Sequence, residues 1–273
     1  MKKTVLITGT STGLGRLTAK YFAEKGWNVA ATMRSPEKET ELNEISNIKV
    51  IKLDITEQET IVEALKEIVD VFGKIDVVVN NAGIGMYGAL ELMEDADIDR
   101  QYEVNVKGVI NVIRNTLPYF REQKSGKFIN ISSVMGRSTA LPLGSLYNMS
   151  KFALEGLTEG LFFELKPLNI DLHLVEPGGF ESNFGENVKF STSKVIGDYD
   201  IITARVSEQL KAAQRPGATS NPIAIVKVIY DLATNKRTAF RTVVGKEAKT
   251  VLLLRKLLPI KTFLNMLGKR FVR

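Results

Sequence analysis

Tyr147 and Lys151 stand four positions apart in GSLYNMSK, residues 144–151, and Ser133 precedes them in INISSVMG. Positions i and i+4 share a helix face, so a phenol and an ammonium at this spacing meet. A phenol with a pKa of ~10 is a poor base at neutral pH, and bringing it to about 7 requires about 4 kcal/mol of preferential phenolate stabilisation. A neighbouring ammonium supplies stabilisation of that kind, which predicts a lowered pKa for Tyr147. With a hydroxyl to hold a substrate oxygen, this set suits proton transfer coupled to hydride transfer between a nicotinamide and an alcohol carbon. Tyr147 is then the acid/base and Ser133 the hydroxyl, with Ser132 as the register alternative; Ser145 and Ser150 are read as structural or lining residues.

Competing chemistries lack their residues. A serine hydrolase needs a histidine, and the single one, His173, falls mid-strand in IDLHLVEP, where a packed role suits it. The chain has no cysteine, so thiolate ligands and disulfides are absent, and a reducing, cytoplasmic setting is expected. One histidine and no clustered carboxylates predict no metal site. A non-catalytic dinucleotide sensor or regulator is the alternative function, although such a protein has no need to keep tyrosine, lysine and serine together.

These side chains need a scaffold to bring them together. At 273 residues and 44% apolar content, one large α/β domain is expected. Apolar, β-branched runs recur at 4–8, 28–33, 48–53, 76–80, 127–132, 170–175 and 239–244, separated by amphipathic stretches such as 17–25, 57–72 and 98–123. Continuous apolar strands alternating with helices predict a Rossmann-type, doubly wound parallel sheet covered on both faces. Ligands in such sheets sit beyond the carboxyl ends of the strands, which directs attention to the residues just after each one.

After the first strand comes TGTSTGLG, residues 8–15. Gly9 permits the tight turn, Gly13 the approach of an anion to backbone, and Gly15 close packing of helix on strand. Ser11, Thr12 and Leu14 complete the expected pyrophosphate cradle. The second strand ends in Met33-Arg34, where a carboxylate would accept from a ribose 2′-hydroxyl. A guanidinium there suits a 2′-phosphate instead, so NADP(H) is expected ahead of NAD(H). NNAG, residues 80–83, puts small residues where a ribose could lie against backbone.

The glycine turn, Asp54, NNAG, Asn105, Ser133, Tyr147, Lys151 and EPGG at 176–179 occur in order and together resemble the short-chain dehydrogenase/reductase superfamily. The resemblance covers about residues 4–244 and implies a seven-stranded parallel sheet and hydride transfer to or from a carbonyl or secondary alcohol. It implies that Asp54 and Ile55 meet the adenine, that Asn81, Ala82 and Gly83 meet the ribose, and that Pro177 and Gly178 meet the nicotinamide carboxamide through backbone. It further implies that Lys151 binds the nicotinamide ribose, that Asn105 anchors a water relay to Lys151, and that the helices carrying Asn105 and Tyr147 join subunits into a homodimer or homotetramer. The loop between Ser133 and Tyr147 is one residue longer than is usual in relatives. The usual threonine after EPGG is missing, with Ser182 or Asn183 as its substitute.

Residues 1–245 are read as the dinucleotide-binding and catalytic domain, within which 180–222 has the least pattern and is expected to form a substrate lid. Met86, Met135, Leu143, Phe184 and Tyr199 are the expected pocket wall, favouring a hydrophobic substrate. Residues 246–273 form a C-terminal extension with eight basic residues against Glu247 alone, whereas 1–245 carries a net charge of −1, which argues against nucleic acid. Its leucines and lysines, broken by Pro259, allow two readings: a helix pair docked beside the substrate opening, or a segment lying on an anionic membrane surface. Nothing in the chain has the apolar length of a membrane span.

Overall fold

The computed structural model describes residues 2–180, 188–190, 196–213 and 221–271. Seven strands form one sheet: β1 (Thr4–Thr8), β2 (Asn28–Met33), β3 (Ile48–Lys52), β4 (Val77–Asn80), β6 (Gly126–Ile131), β7 (Ile170–Pro177) and β9 (Arg241–Val244), in the order β3-β2-β1-β4-β6-β7-β9. Each neighbouring pair is parallel. β5 (Gly85–Tyr87) and β8 (Val188–Phe190) make a separate two-stranded parallel sheet.

Both faces of the large sheet are covered, as the unbroken burial of β1 requires. One face packs against α1 (Gly13–Glu24) and α7 (Pro222–Ala233), where Phe22, Ile225 and Ile229 join Val5, Ile7 and Val29. The other packs against α2 (Gln58–Phe72), α4 (Gly108–Gln123) and α5 (Ser145–Leu165), where Ile61, Leu65, Ile113 and Leu154 join Leu6, Val78 and Phe128. The sheet is therefore doubly wound, and its order reverses between β1 and β4. A crevice opens at that point, beyond the strand ends.

The stretch read as one helix over 98–123 is three segments: α3 (Asp95–Tyr102), a π-helical turn Glu103–Lys107, and α4. Apolar periodicity does not distinguish an α-turn from the wider π-turn, so the sequence hid it. Just beyond it, a Cβ on Gly108 would lie 2.8 Å from Ile55 Cδ1, so α4 comes close to the end of β3. Part of the expected lid is α6 (Asp200–Ala213). The extension forms α8 (Lys246–Leu257) and α9 (Ile260–Phe271), interrupted around Pro259, whose ring cannot continue the first helix. Among the described residues no helix is long and apolar enough to cross a membrane.

Candidate active site

The β1–α1 turn and the turn after β4 are fastened together. Thr8 Oγ1 accepts from the N–H groups of Asn81 and Ala82, each at 3.0 Å, while Asn81 Nδ2 donates to Thr8 O at 2.9 Å and Gly9 O at 3.0 Å. Gly9 and Gly13 adopt φ of +72° and +57°, the left-handed region that favours glycine. A Cβ on Gly15 would lie 2.3 Å from Gly9 O, so only glycine allows the helix to approach this closely. Arg16, which the motif reading passed over, pairs with Glu39 and Glu41 and donates to Ser11 O at 3.1 Å, bracing the turn from outside.

A cavity of about 530 Å³ runs over these turns to the end of β7. Gly9, Ser11, Thr12, Gly13, Leu14, Arg34, Asp54, Ile55, Asn81, Ala82 and Gly83 line it, as do Ser133, Tyr147, Lys151, Pro177 and Gly178. Gly15 and Asn105 are not in the lining. Arg34 is exposed and has no ion-pair partner among the described residues. Asp54 Oδ1 is occupied by Thr56, accepting from its N–H at 2.9 Å and its hydroxyl at 2.7 Å. The Gly178 N–H donates to Val244 O at 2.9 Å, so this residue faces the cavity with its N–H already engaged in the sheet.

At the other end, α5 starts after the long loop and presents Tyr147 and Lys151 on one face. Lys151 Nζ donates to Ile131 O at 2.8 Å and lies 5.7 Å from the Tyr147 ring centroid. Ser133 hydrogen-bonds Tyr147 and also caps the following 3₁₀ turn, its Oγ accepting from Met135 N at 3.1 Å. Ser132 Oγ is instead buried under that turn, where a Cβ on Gly136 would come within 2.7 Å of it. The geometry therefore puts Ser133, rather than Ser132, against the phenol.

The expected direction of the Tyr147 shift is overturned. Burial pushes the phenol up to about 12, because desolvation of the phenolate outweighs the hydrogen bond from Ser133. Burial likewise lowers Lys151 to about 8, with the Glu155 carboxylate pulling the other way. Glu155 lies a further turn along α5, is 5% exposed, and meets Arg241 Nε at 2.8 Å. The series Tyr147, Lys151, Glu155 repeats the same i, i+4 spacing, a signal that could have revealed the third member.

Asn105 sits in the π-helical turn. Its Oδ1 accepts from Ile84 N at 2.9 Å, and its Nδ2 donates to Ile84 O at 2.9 Å and Ser150 Oγ at 3.1 Å. Ser150 donates in turn to Tyr147 O, a structural part in keeping with its reading. A Cβ on Gly83 would be within 4 Å of both Asn105 Oδ1 and Lys151 Nζ, so the asparagine and the lysine both approach this glycine. His173 is packed in β7 with Nδ1 against Ala239 O at 2.9 Å.

The pocket wall differs from the expected one. Met135 lines the cavity, but Met86 is buried with Met93 and Leu146, and Tyr199 is tied to Glu91 at 2.8 Å. Leu143 is not in the lining either, its backbone at φ +60° and its carbonyl accepting from Gly88 N. Phe184, Ser182 and Asn183 lie outside the described residues. In place of Met86, Leu143 and Tyr199 stand Tyr87, Ala140, Leu141, Phe180 and Leu210. The Tyr87 ring stacks on Tyr147 at 5.9 Å between centroids and 29° between planes, and its hydroxyl reaches Met135 Sδ at 3.5 Å. Ala248, Val251 and Leu252 of α8 pack into the same apolar cluster. Periodicity cannot show which apolar side chains line a space and which fill a core.

The family model for short chain dehydrogenase matches residues 3–191. The chain is 35% identical over 244 residues to the 3-ketodihydrosphingosine reductase of Bacteroides thetaiotaomicron, covering 88% of this chain and 87% of that protein. A short-chain dehydrogenase from Streptomyces avermitilis has a similar structure, with a TM-score of 0.83, 31% identity and coverage of 98% and 97%. ElxO with NADP bound gives a TM-score of 0.75 and 28% identity, with coverage of 92% and 100%. The chain belongs to the short-chain dehydrogenase/reductase family of oxidoreductases.

Proposed function

We propose that the protein transfers a hydride between NADP(H), in preference to NAD(H), and the carbonyl or secondary alcohol carbon of a hydrophobic substrate, with Tyr147 as acid/base. The observation that carries this reading is the meeting of Ser133, Tyr147 and Lys151 in the same cavity as the glycine turn. The residues fit a dinucleotide: left-handed glycines leave backbone open to a pyrophosphate, and Arg34, exposed and without an ion-pair partner among the described residues, suits a 2′-phosphate. ElxO, similar in structure, carries NADP. The apolar wall of Tyr87, Met135, Leu141 and Leu210 supports a hydrophobic substrate, as does a relative named for a keto-sphingoid substrate.

When bound, the dinucleotide supplies the hydride that reaches the carbonyl carbon. Ser133 donates a hydrogen bond to the carbonyl oxygen and aligns it with the phenol. As the C=O electrons move onto oxygen, Tyr147 gives up its proton to complete the alcohol. Lys151 holds the ribose and stabilises the phenolate, which is reprotonated from the Lys151 side, where Asn105 anchors the relay to solvent. Burial, which pushes the phenol up to about 12, keeps Tyr147 protonated at neutral pH and able to serve as the acid in carbonyl reduction.

We also propose a homodimer or homotetramer packed through α4 and α5. Met149, Phe152 and Phe163 support this, each exposed along the outer side of α5. The function is tested by following NADPH consumption across aldehydes and ketones of graded size and polarity. Consumption that rises with the apolar size of the ketone is expected; no consumption with any of them, despite NADPH binding, would favour a sensor.

A further inference from the structure

We infer that the exposed sides of α8 and α9 dock the protein on an anionic lipid bilayer. On α8, Ala248, Val251 and Leu252 turn inward to the cluster containing Tyr87, Met135 and Tyr147, while Leu253 and Leu257 are 55% and 67% exposed. On α9, Phe263 is buried, while Ile260, Leu264 and Met266 are 47%, 45% and 40% exposed. Leu253 and Leu257 are one turn apart on α8, as are Ile260 and Leu264 on α9, so these four side chains form a short stripe on each helix, while Met266 faces another side of α9. Singly exposed leucines need no explanation, but an apolar stripe on each of two successive helices does.

Charge selects the occupant. Lys249, Lys256 and Lys261 are exposed within one turn of the stripe, and none has a carboxylate partner among the described residues. The segment 246–273 carries a net +7 in a chain whose remainder is −1. Two copies meeting through this face would set like charges against each other, and a nucleic acid would leave the leucines in water. An anionic bilayer satisfies both components, with leucines entering the headgroup–acyl boundary and lysines remaining among the headgroups. Because the inner side of α8 packs beside Tyr147, docking would bring the substrate end of the cavity close to a reservoir of apolar carbonyl compounds. That consequence rests on the proposed function; the docking itself does not.

The test is flotation of the full chain with vesicles of phosphatidylcholine alone and with about 30 mol% phosphatidylserine, at low salt and at about 0.5 M salt. Selective flotation with the anionic vesicles, weakened by salt, is expected. Leu257→Glu with Leu264→Glu, and separately Lys256→Glu with Lys261→Glu, should each lower partitioning about tenfold or more. Both variants should keep NADPH affinity and the native mass by light scattering. Several results overturn the inference: wild type that stays in solution, leucine variants that still float, or leucine variants whose subunit assembly changes, which would assign the face to a second copy. Since partitioning is read without turnover, failure of docking and failure of the proposed reaction are distinguishable.

Discussion

The two ends of the cavity are built differently. At the glycine end, the walls are main-chain turns after β1 and β4, held by Thr8 and Asn81 within a lattice of bonds of 2.9–3.0 Å. At the tyrosine end, the walls are side chains from β5, the 3₁₀ turn after β6, the loop before α5, and α6, held by apolar packing that α8 joins from behind. A backbone-built end can recognise a constant ligand, since its shape follows from the sheet. A side-chain-built end can be altered without disturbing the sheet, which is where substrate choice can vary within one fold.

The largest effect expected is at the tyrosine end. Tyr147→Phe should lower turnover about a thousandfold while leaving NADPH affinity within about twofold, measured by steady-state kinetics and cofactor titration. Retained turnover would remove the phenol from the mechanism. Next comes pH. Lys151 titrates near 8 because burial disfavours its ammonium, so above that pH it becomes neutral and loses its ability to stabilise the phenolate. The rate of carbonyl reduction should therefore fall as pH rises past about 8, approaching tenfold per unit, whereas a profile flat to pH 10 would dissociate Lys151 from proton transfer.

A change at the glycine end should be felt in cofactor choice alone. Arg34→Ala should weaken NADPH binding about tenfold and leave NADH binding unchanged, since one charge-assisted contact to a 2′-phosphate is lost. Equal affinities for the two cofactors in the wild type would exclude the proposed role of Arg34. The smallest effect concerns the substrate wall. Tyr87→Ala should raise KM for a bulky apolar ketone about fivefold and leave cofactor affinity intact, because it removes a stacked ring from that end only. Parallel losses of cofactor and substrate binding would show that the two ends are not separable.

Much of the glycine end was legible in the chain because its determinants are local. Gly9, Gly13 and Gly15 lie within one turn, and the conformation each permits is a property of the residue itself. The strands were legible for a similar reason, since residues buried on both faces make unbroken apolar runs. The tyrosine end was legible only in part. The spacing of Tyr147, Lys151 and Glu155 is local, but Tyr87, Leu210 and Val251 reach the same cluster from elements that periodicity does not connect.

The sequence by itself determined a doubly wound sheet, a glycine turn and a tyrosine and lysine sharing a helix face, all consequences of residue type at short range. Tertiary structure decided that Ser133 rather than Ser132 meets Tyr147, that Asn105 stands in a π-helical turn, and which side of α8 is left exposed. It also decided the sign of the Tyr147 shift. A pKa depends on solvent exclusion from every direction, and in this chain the enclosure comes from segments as distant as β5 and α8, which only folding brings around one phenol.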